Sequence, residues 1–179
     1  VNSTGGGSIA LTSSGSWTGA SDDSYVTGPL TKQNVLVSSS FQFPIGKAIR
    51  YAPAWVVSVG TGGQNWTAEY FTSVGAFDDA TFDDTDPGSG LNPLSDVSSR
   101  DRWEITSSGS NSAEIRVSYN SHLDIVDQND LRVVWWDPGD SRWENRGGIV
   151  VGATSAGTVT SENAVSFSTQ QFSIGQAPE

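Results

Sequence analysis

Carboxylates at short spacing are the first residues in this chain that could do chemistry. Asp83, Asp84 and Asp86 stand just ahead of Pro87 and Gly88, with Asp78 and Asp79 a few residues upstream. Hard cations want about six to eight oxygen ligands, and an Asp-rich loop supplies them, so Asp83, Asp84 and Asp86 are the candidate ligands of a calcium ion. The run lacks the alternating Asp/Asn pattern ending in a glutamate that marks an EF-hand loop. The same residues equally suit a solvated acidic loop built of Asx-turns. Asp124, Asp127 and Asp130 form a second, looser acidic turn.

Indole rings are the other resource, with seven Trp in 179 residues. The C–H faces of sugar rings stack on open indole and phenol faces, while amides and carboxylates fix the hydroxyls. The run L-R-V-V-W-W-D at 131–137 ends in Pro138 and Gly139, which reads as a strand closing on a tight turn. Alternation puts Leu131, Val133 and Trp135 on one face and Arg132, Val134 and Trp136 on the other. If the first face is core, Trp136 is either half-covered by a loop or open to a ligand. Trp55, in phase with Val57 and Val59, and Trp103 also fall on apolar strand faces and are expected in the core. Trp17, Trp66, Trp136 and Trp143 fall at strand ends or on opposite faces. Of these, Trp136, Trp143 and Trp66 are the predicted sugar platforms.

Catalysis finds little footing. His122 is the lone histidine, set in a turn, and no G-x-S-x-G elbow accompanies it, so a Ser-His-Asp triad is not expected. Glu69, Glu104 and Glu114 sit on strands and could meet as a carboxylate pair across a sheet, the minimum a glycosidase requires. Alternating Glu and Arg on an exposed face gives the same pattern without any reaction. No catalytic residues are assigned, and the chain is read as not an enzyme.

The elements that would position these residues are short strands. Segments near 24–32, 34–38, 41–46, 51–59, 66–71, 102–106, 114–119, 131–137, 142–145 and 148–151 carry β-branched and aromatic residues between Gly, Pro and Asn turns, and two more follow at 165–167 and 172–174. No segment keeps apolar residues at helical spacing. The expected fold is all-β, a two-sheet antiparallel sandwich of the jelly-roll or Ig-like kind, with about ten short strands and no substantial helix. Residues 76–94 break the rhythm as a long acidic loop. Residues 1–27, which include the Gly5–Gly7 run, are set apart as an N-terminal strand and linker segment, and 28–179 as the sandwich domain.

Composition bounds the partners. The formal net charge of −11, with nine Lys and Arg scattered singly, opposes a polyphosphate partner and excludes nucleic-acid binding. It suits cations, neutral sugars and solubility. There is no cysteine, hence no disulfide framework and no thiolate chemistry. No run approaches the roughly 18 apolar residues that span a bilayer, so no membrane insertion is expected. Abundant Ser, Thr, Gly and Asn with little Lys point to an extracellular or cell-surface protein, and the chain reads as a mature piece of something longer.

The succession V-T-G-P-L-T-K (26–32), F-Q-F-P-I-G-K (41–47), Y-A-P (51–53), W-T-A-E-Y-F (66–71), D-R-W-E-I-T (101–106) and D-L-R-V-V-W-W-D (130–137) resembles a β-sandwich module of large secreted and cell-surface proteins of the Bacteroidota, exported by the type IX route. The resemblance covers most of the chain from about residue 25. It implies an exported, non-catalytic accessory or adhesive module, with residues 1–27 as the remnant of a preceding β-solenoid that docks on the sandwich. It transfers no binding motif. The acidic insert at 76–94 and the Trp135-Trp136 pair depart from the usual form. The leading expectation is recognition of polysaccharide or a cell-surface glycan, as a carbohydrate-binding or adhesin domain, with contacts to neighbouring domains or copies. The alternatives are a structural stalk, spacer or filament subunit without a small ligand, and a glycosidase or lyase on the same scaffold.

Overall fold

The computed structural model describes residues 8–75, 77, 81–83, 93–120 and 127–178, with the backbone alone for Phe167 and Ser168. Fourteen strands follow one another: β1 (Ile9–Leu11), β2 (Leu30–Val35), β3 (Phe41–Phe43), β4 (Gly46–Lys47), β5 (Arg50–Tyr51), β6 (Ala54–Val57) and β7 (Gln64–Phe71) in the first part. Then come β8 (Asp96–Val97), β9 (Arg102–Asn120), β10 (Leu131–Asp137), β11 (Arg142–Asn145), β12 (Ile149–Ala153), β13 (Ala156–Thr160) and β14 (Val165–Gln176). A single 3-10 turn at Gln128–Asp130 is the one helical element among the described residues.

The fold is all-β and sandwich-like. Twelve strands join in one hydrogen-bonded sheet, and β4 and β5 pair separately. The large sheet doubles over on its two longest members. The first half of β9 pairs with β7 and β14 in a leaf ordered β1-β2-β7-β9-β14-β10-β11. Its second half pairs with β6 and β13, which carry β3 and β12 at the margins of the other leaf. Side chains from both leaves fill one core, including Trp66, Trp103, Phe172 and Leu131 from the first and Phe43, Val56, Ile115 and Val159 from the second. The Trp103 indole donates across to the Ala52 carbonyl at 2.9 Å, so the polar end of the largest core ring is satisfied.

β9 shows how local composition yields to the ladder. From Trp103 to Tyr119 each odd-numbered residue faces inward, and all but Gly109 are buried. Its middle, S-S-G-S-N-S, reads as a turn by residue type, which is why a break is predicted after Thr106. In the fold this is where the strand bends from one leaf to the other. Asn111 stitches the bend, accepting from Thr61 N at 2.9 Å and donating to Thr61 O at 2.8 Å. β14 turns alongside through a register shift between Phe167 and Thr169. Strands expected to be short are therefore long, because small polar side chains still present a backbone that neighbours can pair with.

The leaf is mixed rather than wholly antiparallel. β1 runs parallel to β2, pairing Ile9 with Leu30 and Leu11 with Lys32. Residues 12–29 make the excursion that a parallel pairing demands. Along the way the buried Lys32 ammonium donates to the carbonyls of Thr12, Ser13 and Gly15 at 2.7, 2.7 and 2.6 Å. Val26 bridges Ile45, and Trp17 donates to the Gln42 carbonyl at 2.8 Å. Residues 8–27 thus supply an edge strand and cover the flank of the sandwich. The Gly5–Gly7 run lies outside the described residues.

Candidate functional site

The structure separates the predicted platforms. Trp66 and Trp143 have no exposed surface, so neither can offer a ring face to a sugar. Trp66 points inward from β7 with Ala68 and Tyr70, and its place near the strand start misrepresents its direction. Trp143 lies beneath a second, smaller cluster on the outer face of the first leaf, with Val134, Val74, Leu94 and Val97. Trp136, directly across from Trp143 on β10, is half-buried, with Phe77 at 5.2 Å and Trp143 at 5.5 Å between ring centroids. The alternation argument for β10 holds, since Leu131 and Val133 enter the main core and Val134 joins the other cluster. Gly175 permits this covering: a Cβ there would sit 2.6 Å from Val134 Cγ1 and 3.0 Å from Leu94 Cδ2.

Two indoles expected in the core sit differently. Trp135 is half-buried at the core margin, donating to Glu144 at 2.9 Å beneath the Arg146 guanidinium. Trp55 faces outward from β6, because Ala54 and Val56 take the inner positions. It stands opposite Gln42 and Arg116 on the outer face of the second leaf. The small inward residues Ala52 and Ala54 beside Pro53 were the available sign of that phase.

The acidic residues are largely engaged. Asp83 is buried, with Oδ2 3.3 Å from Arg142 Nη2. Asp84, Asp86, Asp78, Asp79, Asp124 and His122 lie outside the described residues. Asp137, Asp140 and Glu144 bring carboxylate oxygens within 4.8 Å of one another. The same Arg142 lies 3.4 Å from Asp140 and 3.9 Å from Glu144, so a guanidinium already occupies the charge a cation would bring. Glu69 and Glu104 do meet, paired across β7 and β9 on the outer face of the first leaf. Gln171 donates to Glu104 at 2.7 Å, and Arg102 stacks 3.8 Å above the Phe71 ring beside them. Burial pushes the Glu69 carboxyl up, against the pull of Lys47, and the neighbouring Glu104 charge adds to the rise. Glu114 lies on the other leaf, opposite Val57.

The surface is hollowed elsewhere, along the flank formed by residues 17–27 and the β4–β5 hairpin. A hollow of about 120 Å³ is lined by Trp17, Ala20, Tyr25 and Pro44. It shares Ser24 and Tyr25 with a wider one of about 630 Å³ bearing Asp22, Asp23 and Thr27. That one shares Ala48 and Ile49 with a third, of about 210 Å³, lined by Lys47, Arg50, Tyr70, Thr72 and Arg100. The three adjoin as a discontinuous groove. The rings of Trp17 and Tyr25 are half-buried and held by their polar ends, Trp17 by the Gln42 carbonyl and Tyr25 by a hydrogen bond from its hydroxyl to the Ala48 carbonyl, while Tyr70 is buried. Gly46 makes room for Tyr25, since a Cβ there would lie 2.8 Å from the ring. Asp22 accepts from Tyr51 N at 3.0 Å, which ties the acidic middle of the groove to the hairpin.

No family model, no curated protein and no solved structure matches this chain.

Sequence reasoning had placed Trp17 among the loose indoles but had no means of joining it to the hairpin at 46–51. The Val26–Ile45 bridge, with the Trp17–Gln42, Tyr25–Ala48 and Asp22–Tyr51 hydrogen bonds, brings those segments side by side.

Proposed function

We propose that this chain is an exported, non-catalytic domain that recognises polysaccharide along the groove running from Trp17 past Tyr25 and Ile49 to Arg50. The observation carrying this reading is the series of three adjoining hollows that share residues, with anchored aromatic rings at one end and hydrogen-bonding side chains beyond. A ring fixed by its polar edge offers its face without further loss of rotamer freedom on binding. A shallow groove of several subsites suits an extended polymer better than a compact metabolite. The resemblance of the runs at 26–32, 41–47 and 130–137 to Bacteroidota surface modules is in keeping with a place outside the cell. Among the described residues no helix is long and apolar enough to cross a membrane.

Affinity electrophoresis through gels containing soluble polysaccharides tests it. Retardation of the native protein that disappears in Trp17→Ala and persists in Trp55→Ala is the expected result. A protein that runs unretarded through every polymer while self-associating would leave a structural role. The exposed edge strand β12, with Ile149 57% and Val151 66% accessible, is what favours that second reading.

A further inference from the structure

The polar character of the groove is one-sided. In the middle hollow the charged side chains are Asp22 and Asp23, both on exposed residues, and no basic residue lines it beside them. A carboxylate carries about four lone-pair sites, and Asp22 uses one of them to accept from Tyr51 N at 3.0 Å. The Tyr25 hydroxyl donates inward to the Ala48 carbonyl, so acceptors outnumber donors on the surface of this hollow. Nearby cations do not offset the charge. Arg50 is largely buried and paired with Asp101, Lys47 lies over the Phe71 ring with its charge drawn to Glu69, and Arg100 has a partner of its own. The walls to either side are mainly apolar, with Trp17, Val26 and Pro44 at one end and Ile49, 91% exposed, at the other.

From this pattern we infer that the groove takes a neutral polysaccharide whose hydroxyls are unsubstituted, and turns polyanions away. The inference rests on the polysaccharide reading above and adds the class of polymer. Sugar hydroxyls in the middle hollow donate to Asp22 and Asp23, in hydrogen bonds strengthened by the carboxylate charge. Trp17, Tyr25 and Ile49 carry the C–H faces of the rings before and after. At about 630 Å³ the hollow falls in the range that encloses a drug-sized ligand, which gives room for a short run of sugar rings. A carboxylate or sulfate on the polymer is disfavoured there on two counts. It brings an acceptor where donors are needed, and a negative charge beside two others in a chain of net charge −11. The acidic pair sets the class of ligand, while the hollows and the anchored rings hold the sugar chain.

The test measures binding of the intact chain to glucomannan, xyloglucan and laminarin, each native and carboxymethylated, and to hyaluronan and alginate as naturally acidic polymers. At least one native neutral polymer is expected to bind, with its carboxymethylated form about tenfold weaker or worse at low salt and recovering as salt screens the repulsion. Asp22→Asn combined with Asp23→Ala keeps the acceptor for Tyr51 N. It should weaken binding of the neutral polymer about tenfold and narrow the gap to its carboxymethylated form. Asp23→Ala alone, which leaves the Asp22–Tyr51 tie untouched, should move both in the same direction and serves as the deciding variant if the double one melts early. Carboxymethylated or naturally acidic polymers binding as tightly as neutral ones, or neutral binding that follows Trp17 but ignores Asp22 and Asp23, overturns this inference and leaves polysaccharide recognition standing. Failure to bind any of these polymers, charged or neutral, overturns both.

Discussion

Asp101 illustrates how a buried charge is tolerated at the level of single residues. Its carboxylate pairs with Arg50 and accepts from Tyr70, while Ser173 Oγ donates to its carbonyl at 2.6 Å. The Tyr70 phenol is held well above the ordinary tyrosine range, by burial first and by the Asp101 charge second. Asp101→Asn leaves the Arg50 guanidinium, whose side chain is 12% exposed, facing a neutral partner. We expect a loss of about 3–5 kcal/mol in urea unfolding. Glu69 behaves in the opposite sense. Its carboxyl is raised above the ordinary 4.5, so the native state holds the proton to higher pH than the unfolded chain. The stability this confers is full below the unfolded value and is lost as pH climbs through the folded one. Glu69→Gln should therefore stabilise the fold slightly at neutral pH, by less than about 1 kcal/mol at this half-exposed position and readable as a small rise in melting temperature, and have no effect in acid well below 4.5. Arg142 supplies a third residue-scale expectation. Because it sits against Asp83, Asp140 and Glu144, the native protein should show no calcium-dependent rise in melting temperature from this cluster. Arg142→Gln should gain one, readable by melting with calcium and with chelator.

Strands decide which tryptophans are available. β10 carries apolar residues on both faces because both are covered, one by the second leaf and the other by residues of the 72–97 connection. That connection also pairs Phe82 alongside Trp143, closing what would otherwise be the exposed edge at β11. Trp66→Ala and Trp143→Ala should each cost about 3–5 kcal/mol in denaturant unfolding, because each empties a fully buried site. The corresponding phenylalanine variants should lose less and keep any glycan binding. Alternation fixed the two faces of β10 and β9 from sequence alone. It failed at β6 for Trp55 and Val57, since Ala54 and Val56 take the inner positions, whereas Val59, beyond the positive-φ Ser58, is in the core as expected. Period two identifies a pair of faces, and a bulky residue does not by itself say which of them is inside.

For the whole molecule, residues 8–27 are as much part of the sandwich as any strand that follows. They pair with β2, receive the Lys32 ammonium and wall the groove at Trp17 and Tyr25. A chain beginning at residue 28 should melt at a lower temperature than the native protein and lose polysaccharide retardation in the same gels. A protein in which that segment is a passive linker would keep both properties. The groove spans parts of the chain far apart in sequence, from Trp17 to Arg100.

Composition and periodicity by themselves determined an all-β chain, a core built on Trp103, Ile105, Leu131 and Val133, and the two-faced character of β10. These follow from nearest-neighbour geometry, which a strand displays in its own residue order. Tertiary structure decided the burial of Trp66 and Trp143, the outward turn of Trp55, the parallel docking of β1, the pairing of Asp83 with Arg142, and the meeting of Trp17 with the β4–β5 hairpin. Each depends on which surface another segment covers, a property that belongs to pairs of distant elements.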